Sequence, residues 1–403
     1  MECFKTNMPQ ISNRGQELPS SPIRKLAPFA SAAKNEGVKV YHLNIGQPDL
    51  PTPQQGLDAL KNITRKTLEY SPSDGFLSLR EKLVGYYRKH SIEVTPDEII
   101  ITTGGSEAIL LCFMACMNPG DEIIMLEPGY ANYISFAKTA GITVRAVTSK
   151  IEDGFELPPV SEFENVITSR TKAILLCNPS NPTGYIYTPA ELAQLKAIVL
   201  RHDLFLFADE VYREFAYDGK PCTSAMSLEI PENVIMIDSV SKRYSECGIR
   251  IGMIVTKNKQ VRDTIMKYCQ ARLSPPLLGQ IVAEASIEGT EEYAKECFEE
   301  YKARRDFFIK GLNQIPGVYS PMPGGAFYTV ASLPVDNAED FCKWCLTDFR
   351  LEGETVMMAP AAGFYSNPAL GRNQVRVAYV LKKEDLQRSL NILRTALEAY
   401  NKR

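Results

Sequence analysis

The chain has 403 residues, 44% of them hydrophobic, which is enough to bury one large core and a second, smaller one. Its formal net charge is −3, its pI is near 5.9, and acidic and basic residues are interspersed, which argues against nucleic-acid binding. No run approaches the roughly 18 consecutive apolar residues of a membrane span, and the amino terminus lacks the pattern of a signal peptide. We therefore expect a cytoplasmic protein of two domains with no membrane partner.

Seven short apolar runs predict the strands of one sheet. Such runs alternate here with longer helical patterns, which is typical of α/β proteins with a mostly parallel sheet between two layers of helices. They occupy the centre of a predicted large domain, residues 50–290. The predicted strands lie at 98–103, 121–126, 143–147, 172–177, 204–209, 233–238 and 252–256.

The two ends of the chain have a different pattern. From about residue 290 a long charged amphipathic helix is followed by strand-like segments at 326–330 and 374–379 and by a final helix. These features predict a smaller α+β domain, residues 291–403. Residues 1–49 begin with an arm rich in proline and serine that could pack on this domain or on another subunit. We predict that they form the arm and part of the small domain.

Polar motifs follow four of the predicted strands, at the sheet edge where parallel α/β proteins bind ligands. After 98–103 comes GGSEA, whose helix-start N–H groups suit a phosphate, although an ordinary turn would have the same sequence. After 172–177 comes NPSNPTG, a stiff loop that could fix the direction of the Asn181 amide. Asp209 ends an apolar strand, where a carboxylate needs a cation or a donor, or else caps the next helix.

The fourth motif, SVSKRYSECGIRIG, follows strand 233–238 and combines a lysine with serines and an arginine. Hydroxyls, a guanidinium and helix-start amides suit a phosphate, while a desolvated lysine near other cations can act as a nucleophilic amine. A single loop lysine is usually solvated. The combination of motifs is what favours a catalytic Lys242.

Together these motifs resemble the fold-type-I pyridoxal-phosphate aminotransferases of the aspartate aminotransferase family, over nearly the whole chain. The resemblance is carried by S-x-S-K followed by G-x-R-x-G, by D-E-x-Y upstream, and by N-P-x-N-P-T-G before that. It implies an enzyme that moves the amino group of an L-amino acid to a 2-oxo acid such as 2-oxoglutarate. It also implies pyridoxal 5′-phosphate as the cofactor, held by Lys242 as a Schiff base.

The resemblance implies a role for each matching residue. Lys242, Asp209 and Tyr212 are the implied catalytic residues. Asp209 would pair with the pyridine nitrogen, and Asn181 and Tyr212 would bond to the phenolate oxygen of the cofactor. Tyr130 would stack on the ring, although loop packing is the alternative. The implied cofactor-binding residues are Gly104, Gly105, Ser106, Tyr130, Asn181, Asp209, Tyr212, Ser239, Ser241, Lys242 and Arg250, with Tyr70 from a neighbouring subunit.

The implied substrate-binding residues are Gly46, Asn181 and Arg376. Arg376 lies in an apolar strand-like segment, where a charge needs a partner, and the resemblance implies that it binds the substrate α-carboxylate. Aspartate is the predicted donor. Its second carboxylate needs another cation, for which Arg272, of the same or the partner subunit, is the candidate. An alternative pocket for aromatic or aliphatic side chains could be lined by Tyr328, Phe364 and Tyr365.

Other readings of the same motifs stay open. A lyase or synthase can use the same fold, and a non-catalytic cofactor-binding module is a further alternative. The role of Tyr70 implies a homodimer with shared active sites, against the alternative of a core aromatic. We predict no metal, because the three histidines form no ligand-spaced pair. The ten cysteines, including the C-x-x-C of Cys342 and Cys345 on an amphipathic helix, predict reduced thiols.

Overall fold

The computed structural model describes residues 9–219 and 222–403, so Cys3 and the first eight residues of the predicted arm lie outside the described residues. The strands are β1 (Lys39–His42), β2 (Ile99–Thr102), β3 (Glu122–Glu127), β4 (Thr143–Thr148), β5 (Thr171–Cys177), β6 (Phe205–Asp209), β7 (Val234–Ser239), β8 (Gly252–Thr256), β9 (Tyr328–Ser332), β10 (Glu354–Met357), β11 (Ala359–Pro360) and β12 (Gln374–Ala378). The α-helices are α1 (Asn13–Glu17), α2 (Ala27–Asn35), α3 (Gln54–Lys61), α4 (Leu77–Lys89), α5 (Gly104–Cys116), α6 (Asn132–Ala140), α7 (Val160–Val166), α8 (Pro189–His202), α9 (Val240–Arg243), α10 (Lys259–Arg272), α11 (Leu277–Ile287), α12 (Glu291–Leu312), α13 (Ala338–Thr347) and α14 (Lys383–Tyr400).

The seven predicted strands form one sheet, in the order β2-β8-β7-β6-β5-β3-β4. β8 runs antiparallel to both of its neighbours, and the other pairs are parallel, which confirms the predicted mostly parallel α/β sheet. Helices α5, α6 and α10 pack on one face, while α4, α7, α8 and α11 pack on the other. Because both faces are covered, the central strands are apolar along their whole length rather than in alternation.

The two ends of the chain share a second core. β1 pairs in parallel with β10, and β9, β12 and β11 form a small antiparallel sheet. Buried side chains from α2, α12, α13 and α14 pack with these strands. Residues 1–49 were predicted to contribute to the small domain, and β1 and α2 do pack there; the exact domain boundaries stay a prediction.

The strand predicted at 326–330 begins two residues later, at Tyr328. Ala326 has φ of 57°, outside the extended region, so the chain cannot pair as a strand until it has passed this residue.

The amino-terminal arm contacts both parts of the molecule. α2 packs on α13 and β1, whereas α1 packs on α6 of the large sheet layer. Cys342 and Cys345 lie buried on α13, as the amphipathic pattern predicts. Among the helices described, none has the length and apolar character needed to cross a bilayer.

Candidate active site

A cavity of about 540 Å³ opens at the carboxyl edge of the large sheet. The strands β2, β3, β5, β6 and β7 all end at this edge, and the four polar motifs follow them. The sheet topology therefore brings together residues that are far apart in sequence. The predicted residues that line the cavity are Gly46, Gly105, Ser106, Tyr130, Asn181, Asp209, Tyr212, Ser239, Ser241, Lys242, Arg250 and Arg376.

Asp209 is the buried carboxylate of the cavity. Its Oδ2 accepts from the Tyr133 hydroxyl at 2.6 Å, and its Oδ1 accepts from the Val211 N–H at 3.3 Å. Burial raises the pKa of Asp209 to about 6, because neither neutral donor compensates fully for lost hydration. Within the described residues no basic side chain forms an ion pair with it. The carboxylate is therefore placed to stabilise a cation that enters the cavity.

Lys242 lies on the short helix α9, directly after β7. Its Nζ donates to the Gly46 carbonyl at 3.1 Å and lies 3.8 Å from the Sγ of Cys247. The lysine forms no ion pair among residues 9–219 and 222–403. An amine held only by a carbonyl and a thiol is free to react with a carbonyl compound in the cavity.

A cluster of donors lies at the start of α5. Gly105 and Ser106 are in its first turn, where backbone N–H groups have no helical partner. The Oγ atoms of Ser239 and Ser241 lie 2.9 Å apart beside them. The Arg250 side chain covers Gly104, where a Cβ atom would lie 2.4 Å from the guanidinium. These groups form a cradle for an anion.

Arg376, on β12, is only 1% exposed. Its guanidinium donates to Asn181 Oδ1 at 3.2 Å and to the Asn44 carbonyl, while its Nε has no partner. Burial lowers the pKa of Arg376, since the described part of the chain supplies no carboxylate to balance its charge. A buried guanidinium without an acid partner is a site for an external carboxylate.

Hydrogen bonds link Arg376 to Lys242 through the floor of the cavity. From the Asn181 amide, the Nδ2 donates to the Tyr212 hydroxyl at 3.5 Å. Tyr212 donates to the Tyr328 hydroxyl at 3.1 Å, and Tyr328 donates to the Gly46 carbonyl at 3.3 Å. Each hydroxyl donates once, and the bonds run in one direction from Arg376 to the Gly46 carbonyl, which also accepts from Lys242 and so fixes these side chains relative to one another.

The Tyr328 side chain leaves no space for a side chain at position 46. A Cβ atom at this position would lie 1.9 Å from the Tyr328 hydroxyl. Any larger residue would therefore displace Tyr328 and break the hydrogen bonds below the cavity.

A model of the aminotransferase class I and II family matches residues 38–393, which include every strand described above and most of both cores. The chain belongs to this family. Its members are aminotransferases that depend on pyridoxal phosphate, and this chain is such an enzyme.

Individual relatives differ in the substrate that they name. A Bacillus subtilis protein named only as an aminotransferase is 32% identical over 94% of this chain and 96% of its own length. The aspartate/prephenate aminotransferase of Thermus thermophilus is 29% identical over 94% of this chain and 97% of its own length. A solved alanine aminotransferase of Pyrococcus furiosus has a TM-score of 0.89 and 29% identity, and covers 97% of this chain and 100% of its own. Membership therefore establishes the reaction class but not the amino donor.

The cavity of this aminotransferase suits pyridoxal phosphate. Asp209 lacks a cation, which the protonated pyridine nitrogen would supply. Arg250 forms no ion pair in the described part of the chain; its guanidinium donates to the Cys247 carbonyl at 2.8 Å and borders the serine hydroxyls. Lys242 lines the same cavity as these two groups. Anion cradle, amine and carboxylate together match the phosphate, aldehyde and ring nitrogen of the cofactor.

Some predicted residues of the aminotransferase lie outside the cavity. Tyr70 is 75% exposed on the surface and does not line the cavity. Arg272 forms an ion pair with Glu107 at 2.7 Å and donates to the Ser73 carbonyl at 2.7 Å, so its charge is already balanced within the chain. Of the alternative aromatic pocket, Tyr328 alone lines the cavity; Phe364 lies against the Arg376 guanidinium, and the Tyr365 hydroxyl donates to Gln374.

Three residues near the aminotransferase site were not predicted. Tyr133 follows Tyr130 by three residues, and the two rings, one just before α6 and one in its first turn, lie 5.3 Å apart. That spacing could have revealed Tyr133. Asn44 and Arg24 come from the amino-terminal segment, where no sequence pattern indicates contact with the sheet edge.

Proposed function

We propose that Lys242 binds the cofactor. Asp209 and Arg250 would hold its ring nitrogen and phosphate, and Arg376 would bind the substrate. The observation that supports this is their convergence on one cavity, each without an oppositely charged partner among the described residues. Asp209 would hold the ring nitrogen in its protonated form, because a buried carboxylate favours a neighbouring cation. Arg250, Ser239 and Ser241 would hold the phosphate, with the N–H groups of Gly105 and Ser106.

When bound, pyridoxal phosphate withdraws electrons from the substrate α-carbon and so makes its proton acidic. Arg376 would bind the α-carboxylate and orient the α-carbon above the Lys242 amine. The Lys242 amine, which is free once substrate is bound, would take the proton from the substrate α-carbon. It would then deliver this proton to the C4′ carbon of the cofactor. Positioned proton transfer of this kind contributes about 10²–10⁴ in rate. Asn181 and Tyr212 would donate to the phenolate oxygen, and Tyr130 would pack on the ring.

We propose aspartate as the lead donor and 2-oxoglutarate as an acceptor. Support comes from relatives named as aspartate aminotransferases and from a Thermus thermophilus structure solved with maleate, a dicarboxylate. Arg272 is not part of this proposal, because its guanidinium is paired with Glu107. Cytoplasmic location stays a prediction.

We also propose a homodimer. Exposed apolar side chains cluster on α3, on the segment 62–77 and on the adjoining 273–278, which are tied together by the bond from the Ser73 hydroxyl to the Leu273 carbonyl at 2.6 Å. A patch of this kind on a globular surface indicates an interaction site. Tyr70 lies within it and would reach the partner's phosphate. The patch consists of Leu57, Leu60, Leu68, Tyr70, Leu77, Leu273 and Leu278.

The direct test uses purified protein loaded with pyridoxal phosphate, wild type beside Lys242→Ala. We expect a visible absorption band that depends on Lys242, and stoichiometric conversion of added aspartate to its 2-oxo acid without an acceptor. Pyridoxamine phosphate should accumulate in equal amount. Release of ammonia with the 2-oxo acid would favour a lyase instead, and a band that survives Lys242→Ala would disprove the role of the lysine.

A further inference from the structure

The cavity carries one cation that the proposed mechanism does not use. Five charged residues line it, and four have the roles proposed above: Asp209, Lys242, Arg250 and Arg376. The fifth is Arg24, from the turn between α1 and α2. Its side chain is solvent-accessible, and within the described residues it forms neither an ion pair nor a side-chain hydrogen bond.

Hydrogen bonds hold the backbone around Arg24 close to Arg376, the proposed binding residue for the α-carboxylate. The Asn44 Nδ2 donates to the carbonyl of Ile23 at 2.8 Å, and the Asn44 carbonyl accepts from the Arg376 guanidinium. The N–H of Arg24 itself donates to the Ser21 carbonyl at 3.1 Å, which closes the turn. Asn44 therefore ties the Arg24 segment directly to Arg376.

Tyr130 lines the same cavity as Arg24 and Arg376. Burial raises the pKa of the Tyr130 hydroxyl to about 12, while the charges of Arg376 and Arg24 both act to lower it. Arg24 and Arg376 therefore line one cavity, and Asn44 joins the two segments that carry them.

We propose that Arg24 binds the side-chain carboxylate of a dicarboxylic substrate, while Arg376 binds its α-carboxylate. The inference rests on the proposed aminotransferase function and names the substrate class of that site. Arg376 is buried and would bind one carboxylate, while Arg24 lines the same cavity without an acid partner among the described residues, so that a second carboxylate could pair with it. In this proposal Arg24, and not Arg272, binds the side chain of the substrate.

The exposed position of Arg24 explains how the site could distinguish dicarboxylic substrates from those with aliphatic or aromatic side chains. The guanidinium is exposed, so an aliphatic or aromatic side chain would leave its charge solvated and gain little from it. A side-chain carboxylate would form a charge-assisted hydrogen bond. Discrimination would therefore come from added affinity for the dicarboxylate.

Binding provides the first test, using the enzyme loaded with pyridoxal phosphate and two ligands of four carbons. Succinate carries two carboxylates and butyrate carries one. Calorimetry should show that wild type binds succinate at least ~10-fold more tightly than butyrate, and Arg24→Gln should abolish this preference. Equal succinate affinity in wild type and Arg24→Gln would disprove the proposal.

Kinetics provide the second test, with Arg14→Gln as the matched control. Arg14 lies on the same arm, is exposed and donates to the Thr139 carbonyl at 3.1 Å, but does not line the cavity. In Arg24→Gln, kcat/KM for aspartate or glutamate should fall about 10- to 100-fold while that for alanine changes less than about threefold. Arg24→Lys should restore part of the loss, and Arg14→Gln should behave as wild type.

The outcomes separate this inference from the proposed function. An equal loss for aspartate and alanine would mean that Arg24 acts on the fold or on the common α-carboxylate, and would overturn the inference. If wild type converts no amino acid yet prefers succinate through Arg24, the inference survives while the proposed function fails. Turnover that is independent of Arg24 would leave the proposed function intact and reject the inference.

Discussion

Glu246 is a buried carboxylate within the motif that carries Lys242. Its Oε1 accepts from the Ser286 hydroxyl at 2.5 Å, and its Oε2 has no partner. Burial raises the pKa of Glu246 from 4.5 to about 7, against the opposing effects of Ser286 and the Arg243 charge. The native state therefore holds a proton on Glu246 that the unfolded chain releases above pH 4.5.

This shift makes stability depend on pH. The stabilising contribution of protonated Glu246 is fully present below pH 4.5 and is lost as the pH rises through 7. We expect Glu246→Gln to become more stable than wild type across this window, by an amount on the order of 3 kcal/mol at pH 8. Urea unfolding at pH 5, 6, 7 and 8 measures it. A difference that does not change with pH would contradict the raised pKa.

Tyr133 supports Asp209 through the bond at 2.6 Å. Tyr133→Phe removes a donor to the charged carboxylate and so weakens its hold on a cationic ring nitrogen. We expect kcat/KM to fall about 10-fold or more, with weaker cofactor retention on dialysis. Tyr187→Phe is the control, because this tyrosine is about as buried but packs in the core on the other face of the sheet and does not line the active-site cavity. Equal activities of the two variants would show that Tyr133 does not support the site.

The start of β8 and the start of α5 touch through glycine. At Gly252 a Cβ atom would lie 2.4 Å from the carbonyl carbon of Gly104 and 2.6 Å from the Gly105 nitrogen. Backbone atoms cannot rotate away as a side chain can, so β8 and the anion cradle must separate to accept a methyl group. This contact links the start of β8 to the anion cradle.

Gly252→Ala should therefore destabilise the protein by about 1–3 kcal/mol and reduce its affinity for inorganic phosphate. Gly85→Ala is the matched control. Gly85 lies within α4 with no atom near its missing side chain, where alanine should stabilise the helix by about 0.5–1 kcal/mol. Chemical denaturation compares the three proteins. A destabilised Gly85→Ala or an unchanged Gly252→Ala would contradict the packing.

The exposed apolar patch concerns the molecule as a whole. Leu68 is 64% exposed and Leu278 is 41% exposed, both on the surface that carries Tyr70. The double variant Leu68→Glu, Leu278→Glu places charges on this surface, which a second copy would have to desolvate. We expect sedimentation to show a dimer for wild type and a monomer for the variant, with loss of activity.

Leu200→Glu controls for the added charge, because Leu200 is 55% exposed on α8 and lies away from the patch. This variant should remain dimeric. A wild-type protein that sediments as a monomer at all concentrations would refute the homodimer, and a dimeric double variant would place the interface elsewhere.

The sequence determined much of this protein, because the relevant signals are local. Apolar runs of strand length between helical patterns specified the large sheet, and β2 to β8 lie where those runs are. Motifs at strand ends predicted Lys242, Asp209 and Asn181 as site residues, and all three line the cavity, since parallel strands that end at one edge bring such motifs together. The amphipathic pattern of α12 and α13 was likewise sufficient to predict both helices.

Only the tertiary structure shows which arginine side chains lack an acidic partner among the described residues. Arg272 and Arg24 are equally plausible cations in the sequence, yet Glu107 neutralises Arg272 while Arg24 lines the cavity. Pairing across 165 residues leaves no local signal. The same holds for the amino-terminal arm, whose position depends on Asn44 and Arg376 meeting across the fold. Local sequence specifies elements and their motifs, whereas the balance of charge in a cavity depends on contacts between distant segments.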